Sequence, residues 1–209
     1  MTNHLKTENK VLMYQAREAL KGKWGLAIGA TIVYMLIFIS IQLIPYAGQI
    51  ISLLISGAML IGLSSFSLSL SRKRETTISE IFIGFQKFGV GLGAFSLTMI
   101  FIILWSLLLI IPGIIAAFSY SMTYFIIVDK SSIGPLEAIK LSKEIMRGNK
   151  WKFFCLNSRF IGWLFLCLFT FGIGFLCLSP YFYISYAQFY DDIKESYSSN
   201  LAKDQISDS

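Results

Sequence analysis

Long uncharged apolar segments are the feature that most constrains this chain of 209 residues. A transmembrane helix needs about 20 consecutive, mostly apolar residues, and several segments reach that length. Only 14% of the residues are charged, whereas a soluble domain usually carries about 25%. The sequence therefore predicts an all-α integral membrane protein, and it excludes a disordered chain, a disulfide-framed secreted module and an ordinary soluble domain.

The apolar segments divide into six predicted membrane spans. The last segment, 153–190, is too long for one crossing, and we expect it to turn back near Gly172 and Gly174. We therefore predict a six-helix transmembrane bundle of three hairpins, with an amphipathic cytoplasmic segment at 1–23 and a polar cytoplasmic tail at 191–209. The predicted spans are 24–44, 49–70, 89–111, 113–128, 153–171 and 173–190.

The charged residues indicate how the bundle is oriented. Lys and Arg gather before the first span and after the second, fourth and sixth spans, while the turns around Pro45, Pro112 and Gly172 carry no charge. The positive-inside rule then predicts that both termini are cytoplasmic. A five-span alternative would place Asp191 and Asp192 outside. Because the first 23 residues are polar and the first apolar run is long enough to span, we expect no cleaved signal peptide and a resident protein of the plasma membrane.

The net charge of +6 has an explanation within this topology. Basic residues in cytoplasmic loops interact with anionic lipid headgroups, which makes the lipid bilayer the expected partner. Nucleic-acid binding would need a recognisable reading element beside the basic residues, and none is present in the sequence.

Two cytoplasmic segments, 17–22 and 143–148, share one pattern: basic, Glu, two apolar residues, basic, Gly. A third amphipathic helix is predicted before the third span, where apolar residues recur at helical spacing: Ile78, Ile81, Phe82, Phe85 and Phe88. We interpret the chain as three units, each an interfacial helix followed by a transmembrane hairpin. The helix at 135–147 either packs beneath the bundle or offers a surface to a partner.

The sequence lacks the usual residue sets for catalysis or metal binding. The only histidine is His4, and no phosphate-binding loop or nucleophile–histidine pair is present. No Asp or Glu lies within a predicted span, although proton-coupled carriers and intramembrane proteases need such groups. Cys155, Cys167 and Cys177 lack metal-ligand spacing and are expected to pack as small apolar residues. We therefore expect no enzymatic activity, no metal and no cofactor.

Arg159 is the one charged residue well inside a predicted span. An arginine at the bilayer centre costs about 2.5–3.5 kcal/mol on insertion scales. Three interpretations remain open: the side chain snorkels to the headgroups, it contacts an anion or a lipid phosphate within the bundle, or it pairs with Asp129 or Asp191.

Polar side chains are frequent in the fourth and sixth predicted spans. They either stabilise helix packing or line a wet cavity, for which the candidates are Ser119, Thr123, Tyr183 and Tyr186. Small-residue pairs one turn apart, in which helices approach closely, would serve packing within the chain or dimerisation. These pairs are Gly25 with Gly29, Ala58 with Gly62, and Gly89 with Gly93.

Several motifs together resemble the bacterial membrane proteins grouped as domain of unknown function 975. The resemblance covers residues 12–193 and includes 21–25 (KGKWG), 104–113 (LWSLLLIIPG) and 119–122 (SYSM), followed by Asp129, Gly162, Trp163, Pro180, Tyr181, Phe189 and Tyr190. It implies a six-helix protein of a Firmicute-type plasma membrane and no established activity. Arg159 departs from the apolar residue expected there. A more distant similarity to the membrane domain of some glycerophosphodiester phosphodiesterases implies a function related to lipids.

Two functional hypotheses follow from these observations. The first is a non-enzymatic membrane protein that acts through partners, as an accessory or immunity-type factor. Its partner would be another membrane protein or a second copy of the chain in a homo-oligomer. The alternative is a small carrier or lipid-handling protein that uses the polar faces of the fourth and sixth spans, with Arg159 as the anion contact.

Overall fold

The computed structural model describes residues 7–130, 132–169 and 172–207. Within these ranges the secondary structure is entirely helical, which confirms the predicted all-α class. The α-helices are α1 (Asn9–Leu20), α2 (Trp24–Gln42), α3 (Ala47–Ser71), α4 (Phe88–Leu108), α5 (Ile110–Tyr120), α6 (Thr123–Asp129), α7 (Pro135–Ile145), α8 (Lys150–Phe169) and α9 (Ile173–Ser207), and a 3₁₀ helix (Ile78–Lys87) precedes α4.

Four helical segments of the described chain are long and apolar enough to cross a membrane. They are Trp24–Gln42, Ala47–Ser71, Ile78–Leu108 and Ile110–Asp129. The last segment consists of α5 and α6, which are separated by a turn at Ser121 and Met122. The chain therefore has the helices of a membrane protein, and they coincide closely with the first four predicted spans. The end of the fifth predicted span, at 170–171, and His4 lie outside the described residues.

Two helix boundaries differ from those expected. The reversal between α4 and α5 occurs at Leu109 rather than around Pro112, which lies in the first turn of α5. Proline is tolerated there because the first amide groups of a helix have no intrahelical acceptor. The sixth predicted span ends at residue 190, whereas α9 continues as helix through the polar tail to Ser207. Ile193 is buried there, and the Tyr197 hydroxyl donates to Glu144 Oε2 at 3.1 Å, so the extension packs on the fold.

Helix α3 is the central element of the bundle. Of its most apolar stretch, 56% is buried within the protein, against 17% for α2. The 3₁₀ helix and α4 contact α3 through backbone atoms: a Cβ at Gly62 would overlap the Ile81 carbonyl, and a Cβ at Gly84 would overlap that of Ala58. Thus the predicted Ala58–Gly62 pair serves packing within the chain, whereas Gly25 and Gly89 face open space.

The third amphipathic segment forms a 3₁₀ helix rather than the expected α-helix. Ile81 and Gly84 are buried against α3, whereas Phe82, Phe85 and Phe88 are exposed. Side chains three residues apart eclipse one another in a 3₁₀ helix. The Phe82 and Phe85 rings accordingly stack at 6.3 Å, and those of Phe85 and Phe88 at 6.5 Å.

The two segments that share a sequence pattern also share a turn. Gly22 lies in the turn between α1 and α2, Gly148 lies in the turn between α7 and α8, and both have φ of 77°. The backbone hydrogen bonds correspond as well, since Lys23 N donates to Leu20 O at 2.9 Å and Asn149 N to Met146 O at 3.0 Å. Glycine adopts this left-handed conformation without strain, which explains why both segments end in it.

Candidate functional site

A network of ion pairs, here called the charge clamp, joins the C-terminal ends of α3 and α6 to the middle of α9. It consists of Arg72, which follows α3, Asp129 at the end of α6, and Asp191 and Lys194 on α9. Arg72 binds Asp129 in a fork, with nitrogen–oxygen distances of 2.8 and 3.0 Å, and also donates to Asp191 at 2.6 Å. Lys194 donates to Asp129 at 2.6 Å. One guanidinium therefore fixes two carboxylates from different helices.

A second ion pair extends this charged layer to α8. Lys152 Nζ lies 2.5 Å from Asp192 Oδ2, and both side chains are largely buried. The Lys152 carbonyl accepts a hydrogen bond from Asn9 Nδ2 at 2.8 Å, which attaches α1 to the same layer. Together these contacts hold the C-terminal ends of α3 and α6 and the first turn of α8 against one stretch of α9.

The ion pairs of the charge clamp stabilise the arrangement of its helices. The hydrogen bonds that Arg72 donates to Asp129 and Asp191 raise the pKa of Arg72 above its ordinary value, so the guanidinium stays charged. The Asp129 side chain is only 9% exposed. A buried carboxylate of this kind is stabilised only while its cationic partners remain in place.

The clamp was not predicted, although the sequence contains a signal for it. Asp129 and Asp191 directly follow the fourth and sixth predicted spans, and Arg72 follows the second after one residue. These three spans run in the same direction, so the charges at their ends lie at one level and opposite charges there can pair. In the sequence alone, Arg72 is only one of the basic residues after the second span.

An apolar crevice lies on the other side of the bundle, where α2 and α8 diverge over α9. It contains two neighbouring cavities, of about 370 and about 250 Å³, and Leu178 lines both. The larger cavity is lined by Arg17, Trp24, Trp163, Cys167, Gly174, Cys177, Leu178 and Tyr181. The smaller one includes Thr31, Tyr34, Met35, Leu164, Phe175, Phe182 and Tyr183 among its lining residues.

A polar pocket adjoins the larger cavity at the α1 end. This pocket, of about 320 Å³, is lined by Tyr14, Arg17, Glu18, Lys21 and Trp24. Arg17 and Trp24 line both spaces, so the apolar crevice and the polar pocket meet at these two side chains. The arrangement is amphipathic, with charge at one end and apolar walls along the rest.

A family model described as "Protein of unknown function (DUF975)" matches residues 95–197. These residues, just under half of the chain, are similar to that family and are called the DUF975 region here. The predicted resemblance is confirmed over this region. No curated protein and no solved structure matches the chain.

The DUF975 region contributes only part of each site. Asp129, Asp191 and Lys194 of the charge clamp lie within residues 95–197, whereas Arg72 lies before them. The crevice walls on α8 and α9 also belong to the region, but Arg17 and Trp24 do not. Both sites are therefore completed by the preceding helices.

Arg159 is exposed on α8, within the DUF975 region. Asp129 and Asp191, which one of the three interpretations gave to Arg159 as partners, contact Arg72 in the charge clamp instead. An exposed side chain at this position fits either of the other two interpretations, snorkelling to the headgroups or contact with a lipid phosphate.

The four residues proposed for a polar cavity have separate surroundings. Ser119 and Thr123 are buried, and their hydroxyls donate to carbonyls of the preceding turn, at 2.7 Å each. Such bonds compete with the helical pattern, which explains the interruption between α5 and α6. The Tyr186 hydroxyl donates to Asn157 Oδ1 on α8, whereas Tyr183 lines the smaller cavity of the crevice.

The three cysteines differ in exposure. Cys177 is exposed in the crevice, Cys167 is buried and Cys155 is intermediate, and none forms a disulfide. In the part of the chain that the structure describes, no three His, Cys, Asp or Glu side chains are grouped as a metal site would require.

The turn between α7 and α8 carries a cluster of like charges. Burial, followed by the nearby charges of Lys143 and Arg147, lowers the pKa of Lys150. The neighbouring Trp151 is 73% exposed and stacks on Phe154, with the ring centroids 5.3 Å apart. Exposed tryptophan beside basic residues is typical of a membrane–water interface.

Proposed function

We propose that this protein crosses a bacterial plasma membrane six times and has both termini in the cytoplasm. The contact between Arg72 and Asp191 supports six spans over five, because a five-span chain would put these residues on opposite sides of the membrane. The pairing of Lys152 with Asp192 supports the same arrangement.

We further propose a non-enzymatic role as an accessory or immunity-type factor that acts through partners. The charge clamp carries this proposal. Asp129, Asp191 and Asp192 are the groups nearest to the spans that could transfer protons, and each is bound to a cation from another element. Such pairing favours a scaffold role over acid–base chemistry.

Lipid handling is the second candidate function, and the amphipathic crevice favours it. Most ligand sites are concave and mainly apolar, with a few polar groups that orient the ligand. The crevice has this character, with Arg17 at its polar end.

Crosslinked affinity purification from native membranes, with mass analysis of proteins and lipids, tests these functions. For the accessory role, we expect to recover a protein partner in near-stoichiometric amount. This partner should be absent when the crosslinker is omitted and when the chain carries no tag. Recovery of lipid without any protein partner would overturn that role and favour the second candidate.

Labelling of single introduced cysteines from either side of the membrane tests the topology, in a chain whose native cysteines are replaced by alanine. Cysteines placed at Glu75, at Lys140 and at Ser199 should react only with reagent that reaches the cytoplasm. A cysteine at Tyr46, which is 94% exposed in the turn before α3, should react from the outside. External labelling at Ser199 would contradict the six-span topology.

A further inference from the structure

We propose that the crevice and the adjoining polar pocket form one binding site for a phospholipid. Its phosphate would contact Arg17, and an acyl chain would lie along the apolar walls between α2 and α8. This inference rests on the second candidate function, since it names the ligand of that site.

The polar end of the site carries a cation that is available to a ligand. Lys21 Nζ lies 3.9 Å from Glu18 Oε1, whereas Arg17 forms no ion pair with any residue that the structure describes. A guanidinium can bind a phosphate through two parallel hydrogen bonds, and such charge-assisted bonds are among the strongest in proteins. The chemistry at this end therefore suits a phosphate group.

The apolar end continues directly from the same side chain. Trp24 lies beside Arg17 where the two spaces meet, and Trp163 and Leu178 line the crevice beyond them. An amphipathic ligand alone satisfies both ends, because a free phosphate would leave the apolar walls uncovered and a hydrocarbon would leave Arg17 without an anion. A phospholipid of the surrounding bilayer carries a phosphate and acyl chains in one molecule.

The repeated turn supplies a matched control for the polar end. Lys143 occupies the position in the second turn that corresponds to Arg17 in the first, and it is likewise exposed on an amphipathic helix. It does not line the crevice. Comparison of Arg17→Gln with Lys143→Gln therefore separates phosphate binding at this site from general attraction between a basic protein and lipid.

Native mass spectrometry of the purified full-length chain tests the phosphate contact. Phosphatidylglycerol or phosphatidylethanolamine is added to the protein in detergent micelles, and lipid retained per chain is measured. We expect about one retained lipid, about tenfold weaker retention of both lipids by Arg17→Gln, and less than a twofold change for Lys143→Gln. Equal retention by Arg17→Gln and the unmodified chain would overturn the proposal, as would a loss confined to phosphatidylglycerol, which would indicate recognition of net charge instead.

The acyl-chain contact is tested by filling the crevice. Cys177→Trp should abolish retention, whereas Ile161→Trp, which enlarges an exposed side chain outside the crevice, should leave it unchanged. The unmodified chain offers a second measurement that does not depend on folding of a variant. Bound phosphatidylglycerol should slow the reaction of Cys177 with a maleimide at least fivefold, and an unchanged rate would contradict an acyl chain in the crevice.

The outcomes distinguish this inference from the proposed accessory role. A chain that copurifies with a protein partner but retains no lipid would overturn the lipid site and leave the accessory role intact. A chain that retains lipid through Arg17 without any protein partner would support the lipid site and overturn the accessory role.

Discussion

The two sides of the central helices differ in how they are packed. On one side, the 3₁₀ helix and α4 approach α3 until backbone touches backbone, at Gly57, Gly62 and Gly84. On the other side, α2 and α8 diverge and leave cavities of about 370 and about 250 Å³. The first side depends on glycines, which have no side chain and allow backbones to touch. The second side is defined by a gap between helices.

This difference indicates where stability and function reside. Close backbone contact and the charge clamp hold α3, α4, α6 and α9 together, so changes there should act on folding. The crevice between α2 and α8 is open, so a side chain enlarged there meets fewer neighbours. We therefore expect the effect of a substitution to depend more on its side of the bundle than on its size.

Gly62→Ala should have the largest effect, because the added methyl group would overlap the Ile81 carbonyl and backbone cannot move aside as a side chain can. We expect a loss of about 3 kcal/mol or more in the free energy of unfolding, at the upper end for an overpacked core. Unfolding by titration with SDS measures it. The control is Gly89→Ala, which meets no atom within 4 Å. Similar stability of the two variants would show that α3 and the 3₁₀ helix are not in backbone contact.

Arg72→Gln should rank second, because it removes the cation shared by Asp129 and Asp191. Breaking a buried ion pair costs about 3–5 kcal/mol, and we expect about 2 kcal/mol here because the Arg72 side chain is 25% exposed. The same SDS titration measures the loss. Lys73→Gln changes the neighbouring exposed cation and should have almost no effect.

A double-mutant cycle sharpens this second prediction. If Arg72 and Asp129 are coupled, Arg72→Gln combined with Asp129→Asn should cost less than the two single changes added together. Strict additivity would contradict a clamp between α3 and α6.

The first four predicted spans overlap helices that are long and apolar enough to cross a membrane, because each depends on a local run of apolar residues. Gly22 and Gly148 were recognisable for a similar reason, since a helix end requires a residue that tolerates positive φ. The charge clamp could not be derived with the same certainty. Its members are far apart in the sequence and meet only through the arrangement of three helices.

The remaining differences have the same physical origin. The segment from Ile78 has the spacing of an amphipathic helix, but close contact of Ile81 and Gly84 with α3 accompanies a 3₁₀ conformation. The crevice leaves no pattern in the sequence, because a gap between α2 and α8 depends on how helices far apart in the chain are arranged. Arg159 drew attention as the isolated charge, whereas Arg17, in an ordinary amphipathic helix, lines the site.

Tyr186→Phe tests the boundary between the two sides, since its hydroxyl joins α9 to Asn157 on α8. Hydrogen bonds between membrane helices contribute about 0.6 kcal/mol on average, and we expect a loss of about that size in the free energy of unfolding. Tyr46→Phe is the control, because Tyr46 is 94% exposed. A loss above about 2 kcal/mol would mean that this bond, rather than helix packing, holds α8 on the bundle.

Leu164→Trp should have the smallest effect although it adds the largest side chain. Leu164 lines the crevice and is 54% exposed, so the indole can extend into open space, and we expect a change below about 0.5 kcal/mol. The same substitution at Leu68, which is 2% exposed on α3, should destabilise strongly because no space is available. Thermal unfolding of both variants in detergent gives the comparison. A large loss at Leu164 would mean that α8 packs against another element there, and the bundle would then have two tight sides instead of one.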